Sequence, residues 1–313
     1  MKKSFIFTFL LALALLGCGG SNTNKNNNLS DGQKEADQLG LVEQEASAKP
    51  VPPVFVLSDQ YGEKFLLLAS FEGNVAPEVP AKLSQYKYII YDERFYPVKF
   101  KGCQLENQEE NTYRDTYSNF DNLSGWLYEM QSGKLLENPE DEYDAIEGAA
   151  LLVDENYKKT ATILELKNRE GNYIKMEDVS ETIQKAFEQK YGRKLHLCFA
   201  SAIFGEKSKY QLVNAQFETE GTNALGVTAL VENGEIKAVK EFPAEYDAYS
   251  TWRVDDEGEF GGLVAVLVVM ENGVLTLYTV NGGEEGCNYE NYVVKGDSLC
   301  EGNVSESFYQ APM

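Results

Sequence analysis

Histidine is almost missing from this chain. His196 is the only one, which removes multi-histidine zinc sites and any mechanism that needs two imidazoles. Positive charge is scarce too: 28 Lys and Arg stand against 50 Asp and Glu, for a formal net charge of −22, and no basic cluster interrupts the acidity. A chain so charged repels phosphate backbones, so no nucleic-acid partner is expected, and the acidity reads first as a solubility feature. A glycine-rich loop leading into a helix is also lacking. Gly261-Gly262 and Gly282-Gly283 fall between strands instead, leaving no support for a nucleotide or other cofactor. The acidic runs 137–144 and 255–259 lack the alternating Asp/Asn spacing and closing Glu of an EF-hand, and no metal ligand set is expected. The apolar stretch at the start, Phe5–Leu16, falls short of the about 20 residues a spanning helix requires.

What the chain does have begins at that stretch. Lys2 and Lys3, the apolar run and then Leu15-Leu16-Gly17-Cys18 have the form of a secretory signal peptide ending in a cysteine. These four residues resemble the lipobox of bacterial lipoproteins, with Leu16 larger than the usual Ala or Ser. The resemblance covers residues 1–18 only. It implies that Cys18 becomes the first mature residue and carries the lipid, its thiolate being the nucleophile that accepts a diacylglyceryl group. Three acyl chains would anchor the protein durably to a membrane, since each buried methylene contributes about 0.8 kcal/mol and a single chain binds only reversibly. Gly19, standing where Asp marks inner-membrane retention in some lipoprotein families, leans the expectation toward the outer membrane.

An exported chain folds where cysteines can oxidise. Cys103, Cys198, Cys287 and Cys300 allow three complete pairings. Cys287 and Cys300 lie near each other in sequence among Gly286, Asn288, Gly296 and Asp297, so a disulfide between them is the favoured expectation. Cys198 shares a strand with His196. Period-two alternation would put both side chains on one face, but nothing nearby resembles a cysteine-protease motif and no catalytic residue is assigned.

The organisation expected along the chain is a signal peptide at 1–17, a lipidated cysteine with a disordered polar tether at 18–53, a β-rich unit at 54–176, an α+β unit at 177–300 and a tail at 301–313. The fold class is mainly β or α+β, built of antiparallel hairpin-rich sheets with one amphipathic helix near 178–191. Hairpin turns are predicted at Asp92-Glu93-Arg94, Gln131-Ser132-Gly133, Asp154-Glu155-Asn156, Glu232-Asn233-Gly234 and Glu271-Asn272-Gly273, the last two carrying the Asn-Gly pair that accepts positive φ. In the helix, Val179, Ile183, Ala186, Phe187 and Tyr191 form the apolar stripe; Asp178 and Glu181 have capping-box spacing, and Gly192 stands where a left-handed cap would end it. Val54–Lys64 aligns with Leu197–Lys207 at a constant offset of 143, and the pattern is consistent with two tandem β-rich units.

Aromatics are plentiful, with 19 Tyr, 16 Phe and 2 Trp. Several tyrosines, Tyr113, Tyr117, Tyr143, Tyr246, Tyr249, Tyr289 and Tyr292, fall in turns or beside acidic residues, a setting in which exposed rings grip sugar faces or protein partners. The candidate ligand-binding aromatics are Tyr246, Tyr249, Trp252, Tyr289 and Tyr292. Together these features point to a lipid-anchored, non-catalytic envelope protein that binds a glycan or a protein. The alternatives are a structural component of an envelope assembly, joined through an exposed sheet edge, or an enzyme with no recognisable motif.

Overall fold

Alternation at period two runs through nearly every strand, and two β structures follow from it. A computed structural model describes residues 50–137, 150–170, 173–283 and 285–310. Cys18, the signal peptide, the tether up to residue 49 and most of the acidic run 137–144 lie outside the described residues.

Strands β1 (Val54–Ser58), β2 (Lys64–Leu68), β3 (Tyr86–Tyr91), β4 (Arg94–Gln104), β5 (Gly125–Met130) and β6 (Ala150–Asp154) close into a barrel in the order β1-β2-β5-β4-β3-β6, every neighbour antiparallel. Val56, Phe65, Ile89, Val98, Trp126, Tyr128, Ala150 and Leu152 fill its interior. The alternate residues Phe55, Leu57, Leu66, Ile90, Leu151 and Val153 point outward yet are also buried, because they pack against the second sheet. This double burial explains why β1 and β6 read as continuous apolar runs. Gly125 is required where β5 meets β2, since a Cβ there would lie 2.4 Å from the Leu67 carbonyl oxygen.

The chain leaves the barrel through α1 (Glu155–Thr160) and then builds β7 (Ala161–Ile163), the small hairpin β8 (Arg169–Glu170) and β9 (Tyr173–Ile174), β10 (Glu177–Asp178), α2 (Glu181–Tyr191), β11 (Leu195–Phe204), β12 (Tyr210–Phe217), β13 (Asn223–Glu232), β14 (Glu235–Glu245), β15 (Val264–Glu271), β16 (Val274–Gly283), β17 (Gly286–Lys295) and β18 (Ser298–Tyr309). Ten of these strands form one sheet, in the order β10-β11-β12-β13-β14-β18-β17-β16-β15-β7. Two antiparallel meanders meet in it at one parallel contact, Val239 opposite Ser298. The sheet curls until its ends approach. Leu164 N–H donates to the Val268 carbonyl (2.9 Å), Lys167 N–H donates to the Ile203 carbonyl (2.7 Å), and Leu166 bridges Phe204, so residues 164–167 span the gap between β15 and β11. Ala202, Phe204, Leu212, Leu230, Ala265, Leu277 and Tyr292 pack together on the inner side.

Helix α2 covers the outer side of the first meander, laying Ile183 and Phe187 on Val213, Ala215, Val227 and Ala229. It ends at Gly192 with φ +66°, as its sequence predicts. Its start is Ser180, whose side chain accepts from Ile183 N–H, while Asp178 belongs to β10. Any small polar residue ahead of the stripe can cap, and pairing of Glu177 and Asp178 with β11 decides between them.

The turns at Asn233-Gly234 and Asn272-Gly273 have positive φ at both positions, and so does Asp92-Glu93, which lacks glycine. Two predicted hairpins are replaced by other structure. After Gln131-Ser132-Gly133 the chain does not pair back on β5, which is already flanked by β2 and β4; Leu135 and Leu136 N–H both donate to the Tyr61 carbonyl. At Asp154-Glu155-Asn156 the Asp154 carboxylate accepts from Tyr157 N–H (2.6 Å) and caps α1, because Asp followed by Glu serves a helix start as well as a turn. The change from barrel to second sheet thus comes at Asp154–Ala161, ahead of residue 176. Residues 301–309 are strand rather than tail, since β18 runs to Tyr309. The segments related by the offset of 143 are hairpins of both structures, β1-β2 and β11-β12, but β2 next pairs with β5 whereas β12 pairs with β13. Their likeness is confined to the hairpin.

Candidate functional site

At one end of the barrel, the loop between β4 and β5 folds around a buried amide. Asn119, 2% exposed, satisfies its whole side chain: Oδ1 accepts from Thr112 N–H (3.2 Å) and Asn122 Nδ2 (3.2 Å), while Nδ2 donates to Asn111 Oδ1 (2.9 Å) and the Arg114 carbonyl (2.8 Å). Asn111 in turn donates to Glu106 Oε1 (2.6 Å). Asn74 pairs reciprocally with the Glu106 backbone, at 2.8 and 3.0 Å. A loop of this length would ordinarily be loose; this one is laced at four asparagines.

The lacing holds open a groove of about 590 Å³. Its floor is the junction of β2 and β5, where Ser124 Oγ donates to the Ala69 carbonyl (2.7 Å), and its walls carry Ser70, Glu106, Asn111, Tyr113 and Asp115. Tyr113 sits at φ +59°, a region that bulky side chains seldom occupy, with its N–H held by Asn111 Oδ1 (2.7 Å). That backbone presents the ring to solvent, 69% exposed. Asp115 joins the loop to β18: its N–H donates to the Tyr309 carbonyl (2.6 Å) and its carboxylate accepts from Tyr309 N–H (2.9 Å). Burial raises the Asp115 pKa, a shift only partly offset by that N–H. Burial likewise raises Glu306, with the Asp115 charge adding to the effect.

A second loop, residues 246–263, closes one end of the curled sheet. Asp256 is its clamp, accepting from the N–H groups of Thr251 (2.9 Å), Trp252 (2.6 Å), Arg253 (3.0 Å) and Gly258 (2.9 Å). Burial alone would raise its pKa; the four donors outweigh it and hold the carboxyl below the usual range, so it is ionised at neutral pH. Gln216 accepts from Phe260 N–H (3.0 Å) and donates to the Gly258 carbonyl (2.8 Å). The Phe260 ring fills the place where any side chain at position 226 would stand, which is why Gly226 is glycine.

The aromatics expected to form one surface are dispersed. Tyr246 and Tyr249 are exposed on this second loop, at 42% and 74%, and Trp252 is half-buried there, its indole N–H donating to the Phe242 carbonyl (2.9 Å). Tyr289 and Tyr292 are core residues, at 5% and 2%: Tyr289 packs between barrel and sheet, and Tyr292 lies inside the curled sheet. Both are corrected from surface to core, because their strand is covered on its two faces.

The expected Cys287–Cys300 disulfide is absent, and no disulfide joins any of the cysteines among the described residues. The two lie on neighbouring strands, but Cys287 stands opposite Phe308 and Cys300 opposite Val293, about 20 Å apart along the ladder, far beyond the reach of an S–S bond. The shared face of His196 and Cys198 is broken by a register shift between Leu195 and Leu197. Burial pushes the Cys198 thiol up to about 12, the reverse of an activated nucleophile.

Another hollow, of about 370 Å³, lies where barrel and sheet meet, lined in part by Asp154, Glu271, Asn291 and the Tyr157–Tyr278 hydroxyl pair (2.9 Å). Asp154 is engaged there by Val51 N–H (3.1 Å) as well as by Tyr157 N–H, so it fastens the entering chain to the barrel. Among the described residues no group of three or more His, Cys, Asp or Glu is placed to hold a metal ion.

Sequence reasoning noted Tyr113 only as one turn tyrosine among several, and it passed over Glu106, Asn111, Asp115 and Asn119. The available signal was the recurrence of Asn107, Asn111, Asn119 and Asn122 within one loop. No protein-family model matches the chain, and neither a curated protein nor a solved structure is significantly similar to it.

Proposed function

We propose that this chain is a lipid-anchored protein of the bacterial cell envelope, held at the outer membrane, whose folded body is a non-catalytic glycan-binding module. The anchor rests on the likeness of Leu15–Cys18 to a lipobox. Among the described residues no helix is long and apolar enough to cross a membrane. The observation that carries the binding reading is Tyr113. An aromatic ring is held out by a strained backbone over a preformed groove, beside two carboxylates and an amide. A sugar offers a C–H face to such a ring and hydroxyls to such acceptors. Glu106 is engaged by Asn111 and Asp115 by Tyr309 N–H, which favours recognition over chemistry at these carboxylates.

Binding is tested on an array of neutral, amino and acidic oligosaccharides, followed by titration of the best hit. Tyr113→Ala is expected to weaken it about threefold to tenfold, the equivalent of about 0.5–1.5 kcal/mol for one aromatic contact. A blank array, or an affinity indifferent to Tyr113, ends the glycan reading. The anchor is tested separately: Cys18→Ser should move the protein out of the membrane fraction, and its retention there would count against lipidation.

A further inference from the structure

We propose that the hollow framed by Phe242, Trp252 and Phe260 binds a quaternary or methylated ammonium group. This site is separate from the groove beside Tyr113 and stands whether or not that groove takes a glycan. Three rings meet here, Phe242 and Trp252 each packing on Phe260 with centroids 5.1 and 5.2 Å apart and planes inclined at 48° and 58°. They border a hollow of about 100 Å³ that is also lined by Arg253 and Glu259 and by Gly261 and Gly262, which bring backbone but no side chain to its wall. Inclined rings present electron-rich faces to a shared space, the arrangement that attracts a cation too bulky and too weakly hydrated to prefer water.

Charge supports the same sign. Residues 246–260 carry Asp247, Asp255, Asp256, Glu257 and Glu259 against Arg253 alone. Arg253 is itself engaged, its guanidinium donating to the Gly282 carbonyl. Lys240 Nζ lies 5.4 Å from the Phe242 centroid, and its charge is paired with Glu301 Oε1 at 2.7 Å. The hollow is also preorganised. Trp252 is fixed by its indole bond to Phe242, Phe260 by Gln216, and the loop between them by the four N–H bonds to Asp256. A preformed cage loses little entropy when it closes on a ligand.

The test is calorimetric titration of the whole protein at low salt with choline and, in parallel, with its uncharged carbon isostere 3,3-dimethylbutan-1-ol. Saturable millimolar or tighter binding of choline is expected, with the isostere at least about fivefold weaker, as a cation–π contact of about 1 kcal/mol requires. Trp252→Phe should weaken choline several-fold. Because that change touches packing, Glu259→Gln provides the second variant: its side chain is exposed, so the melting temperature should hold while choline affinity falls. Equal affinity for choline and isostere, no saturable binding of choline, or indifference to both substitutions overturns the proposal.

Discussion

Phe55→Ala is expected to destabilise the folded body by about 3–5 kcal/mol, as a reduced urea midpoint in equilibrium unfolding. Phe55 is 2% exposed although it points out of the barrel, because the second sheet supplies the other half of its surroundings. Its ring meets Tyr278 edge-on (5.9 Å) and Tyr289 at a tilt (5.0 Å), and Tyr289 passes the contact on to Phe308 (5.6 Å). Deleting the ring removes its buried area and leaves a cavity walled by two aromatics on strands of the other structure, with little freedom to collapse. Phe55→Leu, which keeps much of the volume, should cost well under half as much. A cost for Phe55→Ala below about 1 kcal/mol would show that the seam contributes little to cooperative unfolding.

Asn119→Ala is expected to cost about 2–4 kcal/mol and to abolish whatever binding the groove supports. The substitution removes four hydrogen bonds at once, those with Thr112 N–H, Asn122 Nδ2, Asn111 Oδ1 and the Arg114 carbonyl, inside a folded loop. An apolar residue of similar size does not repair this, because the partners remain polar; Asn119→Leu should be as damaging as alanine. Native-state hydrogen exchange locates the effect. Protection should fall across 105–124 while the β11–β14 amides keep theirs, and uniform loss or no loss would refute the lacing role.

Much of the local structure was legible. The turns at 92–93, 233–234 and 272–273 formed where their residues predicted, as did the single strongly amphipathic helix, and the mainly antiparallel β fold is as expected. Misreadings occurred where one short sequence serves two local structures. Asp154-Glu155 suits a turn and a helix cap equally, and only the pairing of β6 with both β1 and β3 leaves the cap. Tyr289 and Tyr292 look like edge tyrosines because Asn and Glu surround them, yet their strand has packed neighbours on both faces. Cys287 and Cys300 are near in sequence, but the β17–β18 register sets them at opposite ends of a long ladder.

By itself the sequence determined what depends on neighbours along the chain: positive-φ turns at Asn-Gly, the stripe of α2 and its glycine stop, and the period-two alternation that makes strands. The tertiary structure alone decided that the first six strands close while ten of the next twelve curl, that Phe55 is sealed from both sides, that Cys287 and Cys300 are set too far apart to join, and that Tyr113 stands over a groove. Turn and stripe preferences are set within a few residues. Strand partners are chosen by burial summed over the whole chain, and alternating apolar residues fit many partners equally well until that sum is made.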